Sequence, residues 1–172
     1  MNNNVQHPAT LTEEALLVAC EMRRQRRSGP GGQHRNKVET AVVVTHTPTG
    51  LQGEASERRS QEQNRQVAIR RLRVNLAIHH RSGVTLDGYE PSVLWRQRCR
   101  SQRIAINPEH EDFPAILAEA LDLLAASEWK LKEAAPRLVC SPSQLLKLIQ
   151  LEPHANVELN RQRIERGMRP LR

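Results

Sequence analysis

Apolar residues along this chain form a few short runs, separated by polar, arginine-rich stretches. The opening Met1-Asn2-Asn3-Asn4-Val5-Gln6-His7-Pro8 holds no apolar run and reads as disordered through residue 10. Thr10-Leu11-Thr12-Glu13 has capping-box spacing and predicts a brief helix through Ala19. Arg23 to Arg27 then leads into a loop. Ala41-Val42-Val43-Val44-Thr45 is apolar and β-branched, which predicts a strand over Thr40 to Thr47. Pro48-Thr49-Gly50 is a turn, since proline presets φ and glycine permits the reversal, and Leu51 to Ala55 is the returning strand. From Ser60 the period changes. Val67, Ala68, Leu72, Leu76 and Ala77 recur near helical spacing, so a long helix capped by Ser60 runs to about His79. A small antiparallel sheet covered by that helix is an α+β unit.

Beyond Arg81-Ser82-Gly83 the pattern is less regular. Pro91 to Arg103 is polar around Trp95 and predicts another helix, with Trp95 as a packing residue. Arg96, Arg98, Arg100 and Arg103 form either an RNA-contacting or a simply solvated basic face. Asp112-Phe113-Pro114 opens a helix with proline in its first turn, and Ile116, Leu117, Ala120, Leu121 and Leu124 make its buried stripe. Trp129 to Leu138 is a second helix, ended or bent at Pro136. Ser141-Pro142 starts a third, carrying Leu145, Leu146, Leu148 and Ile149. The expected organisation is a disordered segment 1–10, an α+β domain 11–80, a basic connecting segment 81–108 and an all-α module 109–172.

Charge narrows the partner. The formal net charge is +7, and its excess lies early: 12 Lys/Arg against 7 Asp/Glu in residues 1–80, 5 against 2 in 81–108, and 9 against 10 in 109–172. A basic chain first suggests nucleic acid or an anionic membrane. No segment approaches the roughly 18 continuous apolar residues of a membrane span, and no cleavable signal pattern opens the chain. Cys20, Cys99 and Cys140 lie far apart and match no zinc spacing, so they read as reduced thiols in a cytoplasm. His7, His110 and His154 give no metal-ligand spacing either. Neither G-x-G-x-x-G after a strand nor a Gly-Lys-Ser/Thr phosphate loop occurs, so no cofactor is expected.

The most distinctive segment is Arg27-Ser28-Gly29-Pro30-Gly31-Gly32-Gln33-His34. Its glycines and proline belong to neither helix nor strand interior, and they let a backbone approach another molecule closely. Alone, Gly-Gly-Gln would be an ordinary turn. Here it is followed by Asn36-Lys37-Val38-Glu39-Thr40-Ala41-Val42, Thr45-His46-Thr47-Pro48-Thr49-Gly50 and Arg58-Arg59-Ser60-Gln61-Glu62-Gln63-Asn64-Arg65. In that order and spacing, residues 11–80 strongly resemble the catalytic domain of class I peptide chain release factors and their codon-independent ribosome-rescue relatives.

The resemblance implies hydrolysis of the ester between a nascent peptide and tRNA on the ribosome, with Gly31, Gly32 and Gln33 as the catalytic centre. The Gln33 backbone N–H would be an oxyanion donor, its side chain would exclude larger nucleophiles, and the glycines would supply backbone conformations that a Cβ blocks. Arg26, Arg27, Arg35, Lys37, Arg58, Arg59 and Arg65 would meet rRNA phosphate, with Ser28, Pro30, His34, Asn36 and Ser60 completing the RNA contacts. Arg35 stands where many family members carry an apolar or small residue. N5-methylation of Gln33 by a glutamine methyltransferase is also implied. Stop-codon decoders of the superfamily are about twice as long and carry a codon-reading domain, so codon-independent rescue is the expected role. Asn160 to Arg172 is basic but short for a rescue factor's channel-entering tail, and it contains Glu165. The alternative is a non-catalytic RNA- or ribosome-binding regulator. DNA is disfavoured: Ala134 to Leu145 is similar to a helix-turn-helix, but Glu119, Asp122, Glu128 and Glu133 surround it.

Overall fold

The computed structural model describes residues 6–25 and 40–172. The described residues fall into two compact units, Pro8–Leu76 and, with His7, Ala77–Arg172. The chain is α+β, with seven α-helices and five strands among the described residues.

The first unit is built on a three-stranded antiparallel sheet of β1 (Cys20–Gln25), β2 (Ala41–His46) and β3 (Gln52–Ala55), in the order β1-β2-β3. β2 is central and almost wholly buried, as its β-branched run requires. β1 departs from the expectation that Arg23 to Arg27 leads into a loop: the strand takes in Arg23, Arg24 and Gln25. Its residues are exposed on both faces apart from a half-buried Cys20, so no alternation marks it. It forms through six residues of antiparallel register with β2, from Cys20 opposite His46 to Gln25 opposite Ala41. Glu21, Arg23 and Arg24 are charges suited to an edge strand, where they discourage pairing with another chain. The β2–β3 turn follows the expectation: Gly50 has φ +70° and its N–H donates to the His46 carbonyl at 2.8 Å.

Helix α1 (Glu13–Leu17) starts later and ends sooner than expected, and its cap is Thr12 rather than Thr10. The Thr12 hydroxyl accepts from the Ala15 N–H at 3.3 Å, and Pro8–Thr10 forms a separate 3-10 turn. Thus residues 7–10, within the stretch read as disordered, are placed, with His7 and Ala9 buried. Helix α2 (Gln61–His79) has the expected extent, and the Ser60 hydroxyl accepts from the Gln63 N–H at 3.4 Å. Its buried face is Ala68, Ile69, Leu72 and Leu76, continuing into Ala77 and Ile78. Val67 is only half-buried. Against this face the sheet presents Gly53, where a Cβ would collide with the Ala68 carbonyl oxygen and the Leu72 backbone nitrogen.

In the second unit α3 (Val93–Arg98) is shorter than the predicted Pro91–Arg103 helix. The remainder turns back as a two-residue hairpin, β4 (Cys99–Arg100) and β5 (Arg103–Ile104), through Ser101 and Gln102 at positive φ. The hairpin lies within the connecting segment 81–108, and the regular elements of residues 109–172 are helices alone, as expected. Trp95 packs as expected: it is buried and its indole N–H donates to the Leu138 carbonyl at 2.7 Å. Four helices follow: α4 (Phe113–Ala126), α5 (Leu131–Arg137), α6 (Pro142–Gln150) and α7 (Pro153–Glu165). α5 begins two residues after the predicted start, because Glu128 and Trp129 adopt left-handed φ values. α7 had no sequence signal, since only Ala155 and Leu159 of it are buried. The basic stretch Asn160 to Arg172 is thus the end of α7 and a return segment held to it. Asn160 bonds the Leu171 backbone through both side-chain atoms, at 2.7 and 3.1 Å.

Candidate nucleic-acid interface

Gly31, Gly32 and Gln33, together with Arg26, Arg27, Ser28, Pro30, His34, Arg35, Asn36 and Lys37, lie outside the described residues. The two ends that carry them are described. Gln25, just before this segment, is the cross-strand partner of Ala41, just after Thr40. Residues 26–39 therefore leave and rejoin the sheet at one end of the β1–β2 ladder.

Thr40 is held from a second direction. The Asn64 side chain, on the first turn of α2, donates to the Thr40 carbonyl at 2.7 Å and to the Arg58 carbonyl at 2.9 Å. Its Oδ1 accepts from the Arg58 N–H at 2.9 Å. Asn64 is 0% exposed, so these bonds form away from water, where an unpaired amide would be costly. In the sequence Asn64 stands out only as part of the stretch Arg58 to Arg65. The signal that marks it is a polar residue four positions before Ala68, on the buried face of the helix.

Arg58, Arg59 and Ser60 sit in the connection between β3 and α2 and are exposed. Neither arginine has an acidic partner among the described residues. The connection is braced by Glu57, which accepts from the Ser56 N–H at 2.9 Å and pairs with Arg71 at 2.7 Å. Burial alone would raise the Glu57 carboxyl pKa; the Ser56 and Glu57 N–H groups and Arg71 outweigh it and hold it below its ordinary value. Arg65 differs from its neighbours. Its side chain is 28% exposed and its guanidinium pairs with Glu13 at 2.8 Å and Glu62 at 3.2 Å. The exposed cations that frame the segment 26–39 are thus Arg58 and Arg59, with Arg23 and Arg24 on β1.

The described histidines and thiols show no activated nucleophile. Burial raises the pKa of Cys20 and Cys99, and pushes that of Cys140 up to about 12, so these remain thiols at neutral pH. His46 is buried, with Nδ1 2.8 Å from the Thr49 hydroxyl, a structural contact at the β2–β3 turn. Among the described residues no group of three or more His, Cys, Asp or Glu is placed to hold a metal, and no helix is long and apolar enough to cross a membrane.

A family model described as the RF-1 domain matches residues 16–87, a span that takes in the sheet, α2 and the Gly-Gly-Gln segment. Residues 16–87 are a domain of the class I peptide chain release factor superfamily. Peptide chain release factor 1 of Xylella fastidiosa is 49% identical over 80 residues, 46% of this chain and 22% of that protein. Peptide chain release factor 2 of Lactiplantibacillus plantarum is 32% identical over 128 residues, covering 65% of this chain and 34% of the relative. Peptide chain release factor 1-like, mitochondrial, of Mus musculus is 42% identical over 80-odd residues (81), 46% of this chain and 22% of the relative. The chain spans about a fifth to a third of the length of these curated relatives. No solved structure matches it. The RF-1 domain takes in all of Pro8–Leu76 from Leu16 onward and the first residues of the second unit.

Proposed function

We propose that this chain is a ribosome-dependent peptidyl-tRNA hydrolase that releases nascent peptides from stalled ribosomes without reading a codon. The observation that carries the reading is Gly31-Gly32-Gln33 inside the RF-1 match, in the stretch between the cross-strand partners Gln25 and Ala41. In this reading water attacks the carbonyl carbon of the peptidyl ester. The developing oxyanion takes a hydrogen bond from the Gln33 backbone N–H, a donor already oriented before the reaction. The ester C–O bond to the tRNA ribose then breaks, and the ribose oxygen receives a proton. Ribosome and tRNA supply the proton transfer, consistent with a site whose chemistry needs no side-chain nucleophile. Gly31 and Gly32 let the backbone approach the ester. Arg26, Arg27, Arg35, Lys37, Arg58 and Arg59 neutralise rRNA phosphates, with Ser28, Pro30, His34, Asn36 and Ser60 as further contacts.

The helices of residues 109–172 are assigned the choice of ribosomal complex rather than the chemistry. Gln33 is the proposed site of N5-methylation, which mass spectrometry of the protein purified from its own cells would detect. The functional reading is tested by release from purified ribosomes bearing peptidyl-tRNA over a stop codon, a sense codon or an empty mRNA channel. Release that does not require the stop codon is expected. Release only over a stop codon overturns codon independence, and ribosome binding without release in any of the three favours the non-catalytic regulator.

A further inference from the structure

We propose that Asn64 is a positioning residue for the segment 26–39, tying the point where that segment rejoins the sheet to the start of α2. The inference rests on the functional reading above and deepens it. Thr40 is the residue between the segment 26–39 and β2, and its carbonyl is held at 2.7 Å by the Asn64 Nδ2. The same side chain holds both backbone groups of Arg58 at 2.9 Å. Asn64 is itself fixed by helix geometry, its N–H donating to the Ser60 carbonyl at 3.1 Å. One fully buried amide therefore joins three stretches of backbone: the root of the catalytic segment, the arginine connection and the first turn of α2.

The chemistry at this position demands both ends of an amide. Two carbonyl oxygens need donors and one N–H needs an acceptor, all within reach of one short side chain. Aspartate has the right shape but supplies no donor when ionised, and it would face two carbonyl oxygens. Leucine has similar bulk and supplies nothing. Other buried contacts of α2 are apolar and hold the helix to the sheet as a whole. Asn64 instead acts at one end of the ladder, the end where Gln25 opposes Ala41. Misplacement of a catalytic backbone by a fraction of a bond length is enough to slow a reaction that depends on a preorganised donor.

The test uses the full chain carrying Asn64→Asp or Asn64→Leu, with Leu72→Ala as a variant that loosens the helix–sheet packing without touching the Thr40 anchor. Peptide release is measured as kcat and KM, and amide exchange is followed at both ends of the β1–β2 ladder. The Asn64 variants should lose about tenfold or more in kcat, with KM within about threefold of wild type. Exchange at the Gln25–Ala41 end should rise about tenfold while the Cys20–His46 end stays protected. Leu72→Ala should raise exchange at both ends alike and keep kcat near wild type. Should Asn64→Leu not fold, Asn64→Asp carries the same comparison; failure of both to fold while Leu72→Ala folds overturns a positioning role. Unchanged kcat in a folded Asn64 variant, or exchange that rises equally at both ends, overturns it too. If the wild-type protein releases no peptide, the functional reading fails, and the exchange pattern alone decides on Asn64.

Discussion

At the scale of single residues, the arginines around the RF-1 segment separate by what they touch. Arg58 and Arg59 are exposed, whereas Arg65 is engaged by Glu13 and Glu62. Arg58→Ala and Arg59→Ala should each lower the slope of log affinity against log salt for ribosome binding by roughly one unit. Arg65→Ala should change that slope less, because its charge is already answered within the protein. Equal slope changes for all three, measured by binding at graded salt, would place Arg65 on the RNA as well. From sequence the three looked alike, since charge is legible in a sequence and its partner is not. Asn64 shows the same gap. Its importance comes from the carbonyls of Thr40 and Arg58, groups that every residue carries and that only the fold brings together.

At the scale of elements, legibility followed burial. β2, β3 and α2 were readable because their buried faces impose a period. β1 and α7 were not: β1 is held by backbone bonds to β2, and α7 buries little beyond Ala155 and Leu159. Among the described glycines, Gly53 is the one where a Cβ would meet backbone of another element, at Ala68 and Leu72 of α2. Gly53→Ala must push α2 off the sheet and should cost about 3 kcal/mol or more, the upper end of overpacking penalties. Urea unfolding would measure it, and a change below about 0.5 kcal/mol, the usual surface-substitution range, would mean that the helix seats differently. The family was legible from residue order alone, because the motifs around Gly31-Gly32-Gln33 point to it without reference to secondary structure and the RF-1 match spans them; the catalytic role of the triplet is proposed on that order.

At the scale of the whole molecule, two further outcomes are expected. His7 is buried and its pKa is lowered to about 4, chiefly by desolvation, with the charges of His80 and Arg81 acting in the same direction and the hydrogen bond to the His80 carbonyl opposing. The folded chain thus keeps His7 neutral where the unfolded chain protonates it near 6.5. Its contribution is fully present above that value and is lost as pH falls from 6.5 to about 4. The loss should reach roughly 3 kcal/mol, and His7→Phe should flatten that part of a stability–pH curve. On the second unit, Val157 and Ile164 are 66% and 58% exposed and lie seven residues apart on α7, one face of the helix. If this unit selects the ribosomal complex, Val157→Glu with Ile164→Glu should change the ratio of release rates among stop-codon, sense-codon and empty-channel complexes. Unchanged ratios would move the selective surface off α7.

In the proposed function the Gly-Gly-Gln backbone promotes ester hydrolysis. The most direct measurement is single-turnover peptide release from stalled ribosomes by wild-type protein and by Gly32→Ala, each at a concentration that saturates ribosome binding. Rapid release by the wild type is expected, with at least a hundredfold loss in Gly32→Ala, because misplacing the Gln33 N–H should cost about as much as losing one oxyanion donor, with binding intact. Near-normal release by the bound Gly32→Ala protein would contradict it.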